Sequence, residues 1–267
     1  MQVNSSKQER VCSLIKNFRD SIITMYQAYE PENSFKRTHW SYEKGKGGGE
    51  ISLIRGDVFE KAACNFSAIH GSSFPGKDAS GPFFATGVST ITHMLNPKAP
   101  TFHFNVRYIE TESSYWIGGG FDMTPMGFFF DEDTALLHSQ AKQALDQVNP
   151  DLYPKLSEQA KKYFYLPHRK KERGAGGIFF DHFSLGDFEQ DLDFLQRVTS
   201  SYIAIAQTII DRRISMPWTS EDKKLQNQLR AHYVEFNLIY DRGTRFGFQS
   251  GGNPDAILCS MPPVATW

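Results

Sequence analysis

Residues 101–108 alternate strictly between polar and apolar side chains, and this alternation constrains the fold more than any other feature of the chain. The polar positions are Thr101, His103, Asn105 and Arg107, and the apolar positions are Phe102, Phe104, Val106 and Tyr108. A period of two residues predicts a β-strand with two chemically different faces. The polar face lacks the mixture of Lys and Glu that a solvated surface usually carries. We therefore predict that it binds a ligand.

A second strand is predicted over residues 115–124, directly after the first. It places Gly118, Gly120 and Asp122 on one face, together with Trp116 and Thr124. Glycine weakens a strand and often marks a place where a ligand approaches the backbone closely. The pattern favours a sheet surface flattened by glycine, which would admit a large flat ligand. A solvated hairpin with an incidental glycine run is the alternative.

Composition excludes several classes of function. The chain has 267 residues, of which 40% are hydrophobic, and this is enough for one large domain. A net charge of −1 argues against a nucleic-acid partner. There is no apolar run of 18 residues and no signal peptide, so we expect no transmembrane segment. Cys12, Cys64 and Cys259 lie far apart, which fits a reducing compartment and predicts a cytoplasmic location.

The order of predicted elements indicates the fold class. Helices are predicted over residues 7–29, 131–148 and 191–213. Two more helices are predicted to begin at Pro154 and at a capping box that starts with Thr219. Strands are predicted over residues 50–55, 58–69, 84–93, 101–108, 115–124 and 233–241, with a short apolar piece at 178–182 and flexible loops at 44–49 and 78–82. Because the strands form hairpins with helices around them, we predict an α+β fold. Its large, mainly antiparallel sheet would be flanked by helices on both faces, in a single domain spanning residues 1–267.

The polar side chains of the predicted strands indicate the chemistry of the ligand. They are His103, Asn105, Arg107, Asp122, Asn237 and Asp241. A buried carboxylate needs a partner, an arginine binds carboxylates through two parallel hydrogen bonds, and a histidine transfers protons near neutral pH. A flat aromatic ligand with N–H donors and several carboxylates would satisfy all of these groups.

Two other classes of protein remain open at this point. A non-haem iron oxygenase would use His93, His103 and Asp122 as a facial triad, although such triads usually place a histidine and a carboxylate much closer in sequence. A non-enzymatic tetrapyrrole carrier is the third possibility. The number of titratable groups on the predicted polar faces favours catalysis over storage.

Seven longer motifs carry a resemblance to a known family. They are Phe59-Glu-Lys-Ala-Ala-Cys-Asn-Phe-Ser, Ala85-Thr-Gly-Val-Ser, Pro100-Thr-Phe-His-Phe-Asn-Val-Arg-Tyr, Gly118-Gly-Gly-Phe-Asp-Met-Thr-Pro, Tyr163-Phe-Tyr-Leu-Pro-His-Arg, Arg173-Gly-Ala-Gly-Gly-Ile-Phe-Phe-Asp and Glu235-Phe-Asn-Leu-Ile-Tyr-Asp-Arg-Gly-Thr. In this order they resemble the oxygen-dependent coproporphyrinogen III oxidases. The resemblance spans nearly the whole chain, from about residue 47 to residue 267.

The resemblance implies a specific reaction. Members of this family convert coproporphyrinogen III to protoporphyrinogen IX by oxidative decarboxylation of two propionates to vinyl groups. Molecular oxygen is the co-substrate, no organic cofactor is used, and a divalent metal requirement is unsettled. The resemblance also implies an antiparallel sheet flanked by helices and a homodimer with contacts in the C-terminal region, residues 233–267. A diverged, weakly active or inactive paralogue that binds a tetrapyrrole without turnover is the alternative.

Several residues match functional positions of the family. The implied catalytic residues are His103, Arg107, Asp122 and Asp241. The implied substrate contacts are Ser89, Asn105, Val106, Arg107, Arg242, Gly251, Gly252 and Asn253. The histidines to which metal binding is attributed match His93, His103, His138 and His168. The chain departs from the family pattern at Asn253, where the pattern has an arginine after two glycines.

Overall fold

A seven-stranded antiparallel sheet forms the centre of the protein. The structure is a computed structural model that describes residues 2–75 and 80–267, with side chains from residue 6 onward. In order across the sheet, the strands are β1 (Lys36–Ser41), β2 (Gly45–Ile54), β3 (Phe59–Gly71), β4 (Phe83–Met94), β5 (Thr101–Thr111), β6 (Tyr115–Thr124) and β9 (Gly177–Phe183). Every neighbouring pair is antiparallel.

Helices surround this sheet. They are α1 (Gln2–Gln27), α2 (Asp131–Asp146), α3 (Leu152–Tyr163), α4 (Phe188–Arg213), α5 (Ser220–Ile239), α6 (Arg242–Ser250) and α7 (Pro254–Leu258). Between α3 and β9 the chain forms a two-stranded ribbon of β7 (Tyr165–Leu166) and β8 (Lys171–Glu172), joined through a 3₁₀ turn at Pro167–Arg169.

One face of the sheet carries the main hydrophobic core. The even-numbered side chains of β5, such as Phe102, Phe104 and Val106, are almost fully buried there against α1 and α4. Apolar residues of α2 and α3 complete the same cluster. Each large apolar side chain buried in this way contributes about 1.5–3 kcal/mol of hydrophobic stabilisation. The burial of this face leaves the odd-numbered residues of β5 on the opposite face.

The opposite face is covered only in part, by α5, α6 and α7, and by the end of α3 over β9. Three apolar clusters border it. The main members of two are Tyr42, Ile69, Phe83, Ile109 and Trp116 with Phe246 at one end, and Ala63, Ile91, Met126 and Tyr233 at the other. The third lies at β9 and consists of Ala160, Phe164, Leu166, Phe179 and Phe236. Between these clusters lie partly exposed polar side chains, which we call the polar strip: Asn65, Ser67, Ser89, His103, Asn105 and Arg107.

The predicted fold class is confirmed. The sheet is antiparallel and has helices on both of its faces, since α1 and α4 contact one face and α5 the other. The predicted strands at 84–93, 101–108 and 115–124 and the hairpin of β2 and β3 are also confirmed. Period-2 alternation identified these elements because their two faces meet different environments.

The strand predicted over residues 233–241 is wrong. Residues 233–239 form the last turns of α5, a continuous helix of 20 residues that starts from the predicted capping box, and Tyr240 and Asp241 connect it to α6. Tyr233 and Phe236, spaced as in a helix, face the protein, whereas Leu238 is 53% exposed. The apolar positions in these nine residues also fit the spacing of a helix. A helix that has already nucleated extends readily by further residues. Asn237 is therefore part of a helix, where its amide donates to the carbonyl of Tyr233.

Two predicted loops also need comment. Residues 44–49 are not a flexible loop, because β2 begins at Gly45 and pairs with β3. At Gly47, φ is +99° and a Cβ would lie 2.1 Å from the carbonyl oxygen of Ala68, so glycine permits this close pairing. Within the loop predicted at 78–82, residues 78 and 79 lie outside the described residues.

Candidate active site

The register of the sheet aligns the polar strip across neighbouring strands. His103 is paired with Asp122, Asn105 with Gly120, and Arg107 with Gly118. On the other side of β5, Ser89 is paired with Asn105. The strip residues of β5 are partly exposed, while Phe104 and Val106 between them are buried. The prediction of one polar and one core face is therefore confirmed.

His103 and Asp122 form a hydrogen-bonded pair at one end of the strip. The imidazole Nδ1 lies 2.9 Å from Asp122 Oδ1. An ionised carboxylate only accepts hydrogen bonds, so Nδ1 carries the proton and donates it to Asp122. No described residue provides a hydrogen-bond partner for Nε2 of His103, whose side chain is 18% exposed. This arrangement fixes the tautomer and leaves Nε2 available for proton transfer.

Arg173 forms a buried ion pair with Asp122. Its Nη2 lies 2.6 Å from both carboxylate oxygens of Asp122, and both side chains are almost fully buried. The guanidinium also contacts the rings of Phe164, Tyr233 and Phe236 at 4.3–4.8 Å. Burial opposes ionisation of Asp122, but the charge of Arg173 and then the bond from His103 outweigh it, and the pKa of Asp122 is lowered.

A second carboxylate, Asp181, connects two arginines on the same face. Arg107 Nη2 lies 2.5 Å from Asp181 Oδ1, and Arg242 Nη1 lies 3.3 Å from Oδ2. Burial opposes ionisation of Asp181, but the charge of Arg107 outweighs it and the pKa of this carboxyl is lowered. The Arg242 guanidinium also lies over the rings of Tyr163 and Phe179, at 5.0 and 5.5 Å.

Gly118 makes room for the Arg107 side chain. A Cβ at Gly118 would lie 2.8–2.9 Å from the guanidinium atoms of Arg107, too close for an ordinary contact. The guanidinium therefore passes directly over the backbone of β6 on its way to Asp181. The space that glycine leaves at this position is taken by a side chain of the protein itself.

Comparison with known proteins identifies the family. The sequence model of a protein family, described as coproporphyrinogen III oxidase, matches residues 10–267. The chain belongs to the coproporphyrinogen III oxidase family. It is 42% identical over 282 aligned residues to the oxygen-dependent coproporphyrinogen-III oxidase of Rickettsia bellii (strain OSU 85-389), with 99% of this chain and 100% of that protein covered. It is 43% identical over 264 aligned residues to the protein of the same name from Rickettsia akari (strain Hartford), covering 92% and 93%.

The two aspartates implied as catalytic are both engaged with protein groups. Asp122 is 3% exposed, and Arg173, His103 and Thr124 contact its oxygens. Asp241 caps α6, because its Oδ2 accepts from Thr244 N at 2.6 Å and its Oδ1 accepts from the Tyr163 hydroxyl at 2.7 Å. A pyrrole N–H would have to compete with these contacts. Their positions favour supporting roles over direct contact with a substrate of this oxidase family.

The implied substrate contacts divide into two groups. Ser89, Asn105 and Arg107 lie on the polar strip. The side chain of Val106 does not reach the strip, because alternation directs it to the opposite face, where it is fully buried in the main core. The backbone of Val106 is still part of β5 but presents no side chain to the strip.

The run of residues 251–253 connects α6 to α7 beside the polar face. Gly251 ends α6 with a φ of +80°, and the Lys44 side chain lies where a Cβ would stand. Asn253 caps α7 through its Oδ1, which accepts from Ala256 N at 3.1 Å. The residue that departs from the family pattern therefore has a structural partner as a helix cap.

The four histidines implied as metal ligands lie in separate environments. His93 Nε2 contacts the carbonyl of Ser260, His138 contacts the carbonyl of Ala175 and the Tyr153 hydroxyl, His168 contacts Tyr240 and Glu235, and His103 contacts Asp122. Among residues 2–75 and 80–267, no group of three or more His, Cys, Asp or Glu is arranged to hold a metal. These four histidines therefore do not fit a shared site, and the facial triad of His93, His103 and Asp122 does not form.

Sequence reasoning missed two residues that organise the site. The strand pattern gave Arg173 no role, although it is buried on Asp122. Asp181 was assigned no role, although it bridges two arginines. Both stand at the ends of one motif, Arg173-Gly-Ala-Gly-Gly-Ile-Phe-Phe-Asp, so the resemblance contained the signal that local patterning lacked.

Proposed function

We propose that this chain catalyses the oxidative decarboxylation of coproporphyrinogen III to protoporphyrinogen IX, a step of haem biosynthesis, with O₂ as oxidant. The observation that carries the proposal is the pairing of a proton-transfer group, His103 with Asp122, and an arginine pair on one partly exposed strip. Relatives with this printed name align along nearly the whole chain, which supports the same substrate. The alternative of an inactive paralogue gains no support from this geometry.

Each cycle removes one carboxylate from the substrate. A propionate arm, –CH₂–CH₂–COO⁻, reacts with O₂ and one proton to yield –CH=CH₂, CO₂ and H₂O₂. The bond to the carboxylate carbon breaks, together with one C–H bond on the methylene attached to the pyrrole ring, and the two electrons from that C–H bond reduce O₂. Because O₂ accepts these electrons, the proposed reaction uses no organic cofactor. A divalent metal has no assigned step in it.

The residues of the strip have separate roles in this proposal. Arg107 and Arg242 bind a propionate carboxylate and position the reacting arm. His103 transfers a proton through Nε2, and Asp122 keeps the imidazole oriented. Ser89 and Asn105 supply neutral hydrogen-bonding groups to the macrocycle. Asp241 acts indirectly, because as the cap of α6 it positions the adjacent Arg242.

We also propose that the protein is a homodimer with contacts in the region 233–267. Six of the ten large apolar side chains that are exposed in the described chain belong to it: Leu238, Ile239, Phe248, Leu258, Val264 and Trp267. Such a concentration of exposed apolar surface is typical of an interface between proteins. Coproporphyrinogen III and a second copy of the chain are then its partners, and no nucleic acid is among them.

The remaining features of the proposal concern domain and location. We propose that residues 1–267 act as one coproporphyrinogen oxidase-like domain, because a single sheet connects the elements of the site. Cys12, Cys64 and Cys259 are all unpaired, which supports the cytoplasm as the place of action. Among the helices of the described chain, none combines the length and apolarity that a membrane crossing requires.

An aerobic assay with coproporphyrinogen III tests the function, with product followed by the fluorescence of protoporphyrin after oxidation. We expect the wild-type chain to form product and Arg107→Ala to lose about 100-fold or more in kcat/KM, because a carboxylate clamp is removed. Thermal unfolding of both proteins serves as the control for folding. Folded wild-type protein without product would contradict the proposal and favour the paralogue. Loss of product on chelation would favour a metal-assisted mechanism instead.

A further inference from the structure

Asp181 forms an ion cluster with two arginines that the proposed function assigns to the substrate. Its two oxygens contact different partners, Arg107 at 2.5 Å and Arg242 at 3.3 Å. The side chains of Asp181 and Arg107 are 16% and 24% exposed, whereas that of Arg242 is 57% exposed, so water screens the Arg242 end of the cluster more than the Arg107 end. Two guanidinium cations and one carboxylate leave a single positive charge, which matches the charge of one propionate.

A β-bulge places Asp181 in this position. Ile117 pairs with Phe183 and Gly119 with Phe180, so two steps along β6 correspond to three steps along β9. The extra residue falls at Asp181 and His182, where His182 has a φ of +47° and its ring stacks on Trp116 at 4.7 Å. Bulges redirect side chains, and a positive φ outside glycine is uncommon. The local backbone thus departs from a regular strand where it carries this carboxylate.

The proposed reaction creates a charge imbalance at this cluster. The substrate arm is an anion before the reaction and a neutral vinyl group afterwards. Without Asp181, loss of CO₂ would leave two guanidinium groups next to each other with no anion, and the guanidinium of Arg107 is largely shielded from water. A partly buried charge without a partner is unfavourable. A resident carboxylate removes this penalty from the product state.

We propose that Asp181 is a positioning residue, which orients Arg107 and Arg242 for one propionate carboxylate and remains as their counter-ion when that carboxylate leaves as CO₂. The inference rests on the proposed function. It assigns to Asp181 a part in the catalytic cycle that differs from substrate binding. This interaction stabilises the site more after decarboxylation than before. Its loss should therefore change kcat more than KM.

Asp181→Asn tests this role, because the amide is similar in size and removes the charge. In the aerobic assay we expect kcat to fall about 10- to 100-fold, since the arginines lose their fixed positions, while KM stays the same or decreases. The matched control is Asp193→Asn, which also removes a carboxylate bound to an arginine, Arg197 at 2.6 Å, on the exposed surface of α4. It should retain kcat within about twofold.

A measurement without oxygen separates binding from turnover. Under anaerobic conditions we expect Asp181→Asn to bind coproporphyrinogen III about 3- to 10-fold more tightly than the wild type, with a steeper dependence on salt, because the cluster then carries two positive charges. The role is overturned if kcat stays within about twofold of the wild type, or if KM rises in proportion to the loss of kcat/KM.

The same measurement keeps the two proposals distinguishable. If the wild type forms no product, the proposed function fails, and equal anaerobic affinity of wild type and Asp181→Asn would then overturn the role of Asp181 as well. If Asp181→Asn does not fold, Asp181→Glu replaces it, because it keeps the charge and displaces it by one methylene. We expect about a 10-fold lower kcat at unchanged KM in that variant, and an unchanged kcat would overturn the role.

Discussion

At the scale of single residues, the site consists of two carboxylates that arginines hold in place on one sheet face. Asp122 is buried with Arg173 and orients His103, whereas Asp181 is partly exposed and connects Arg107 to Arg242. The difference in exposure separates their chemistry. The buried pair maintains a tautomer, and the exposed cluster is accessible to a carboxylate of a ligand. Gly118 of β6 provides the space that the Arg107 side chain requires.

Substitutions at two glycines of β6 should have different effects, one mainly on activity and the other mainly on stability. Gly118→Ala brings a Cβ against the flexible end of Arg107, so we expect stability within about 1 kcal/mol of the wild type but a loss of activity of at least about 10-fold. Gly120→Ala brings a Cβ to 2.0 Å from the carbonyl oxygen of Ile178, a backbone atom, at a φ of +138°. It should be destabilised by about 3 kcal/mol or more. Denaturant unfolding and the aerobic assay measure both effects, and equal loss of stability in the two variants would contradict this assignment.

At the scale of elements, the ends of short helices determine how the polar face is covered. Asp241 begins α6, Gly251 ends it, and Asn253 begins α7. Three positions that the resemblance implied as catalytic or substrate-binding are therefore helix caps. A cap can still influence binding, because it sets the direction from which the helix and its first residue, Arg242, approach the strip.

The cap at Asp241 yields a matched pair of variants. Asparagine caps helices as well as aspartate does and keeps one oxygen that can accept from Thr244 N, whereas alanine accepts from neither Thr244 nor Tyr163. We expect Asp241→Asn to retain activity within about threefold and Asp241→Ala to lose about 1–2 kcal/mol of stability along with activity. Denaturant unfolding and kcat/KM measure these effects. A large loss of activity in Asp241→Asn at normal stability would show that the negative charge itself takes part in catalysis.

Elements also show where local patterning is ambiguous. Strands β4, β5 and β6 were predicted correctly because each has one face in the core and one at the strip, so the alternation is long and consistent. The end of α5 was predicted as a strand because alternation over nine residues coincides with helical spacing at Tyr233, Phe236 and Tyr240. The helix prevails because it continues from the capping box at Thr219 and packs its apolar side on the sheet.

At the scale of the whole molecule, the two faces of the sheet have different functions. One face buries the main core under α1 and α4, and the other keeps polar groups accessible between three smaller apolar clusters. A groove of about 640 Å³ between α1 and α4 has only Asp20 as a titratable residue, so it carries no comparable chemistry. The exposed apolar residues gather in the region 233–267, which also covers the polar face. Association through this region would couple assembly to the site.

Acidic substitutions in that region should disrupt the proposed dimer. We expect Phe248→Glu combined with Leu238→Glu to weaken self-association by about 2 kcal/mol or more, because charges would be buried in an apolar interface. Sedimentation velocity over a range of protein concentrations measures the change. Phe129→Glu is the control, since Phe129 is 62% exposed but lies outside the region. A wild-type chain that stays monomeric throughout would contradict the dimer.

The amino-acid sequence by itself determined which residues share a face. Alternation placed His103, Asn105 and Arg107 together because a strand sends every second side chain to the same side, whatever surrounds it. Only the tertiary structure decided which charges pair, because Arg173 is 51 residues from Asp122 and Arg107 is 74 residues from Asp181. Those contacts depend on the order of strands, their register and one bulge, none of which a local period contains. The same long-range packing made residues 233–239 helical and turned Asp241 from a strand residue into a helix cap.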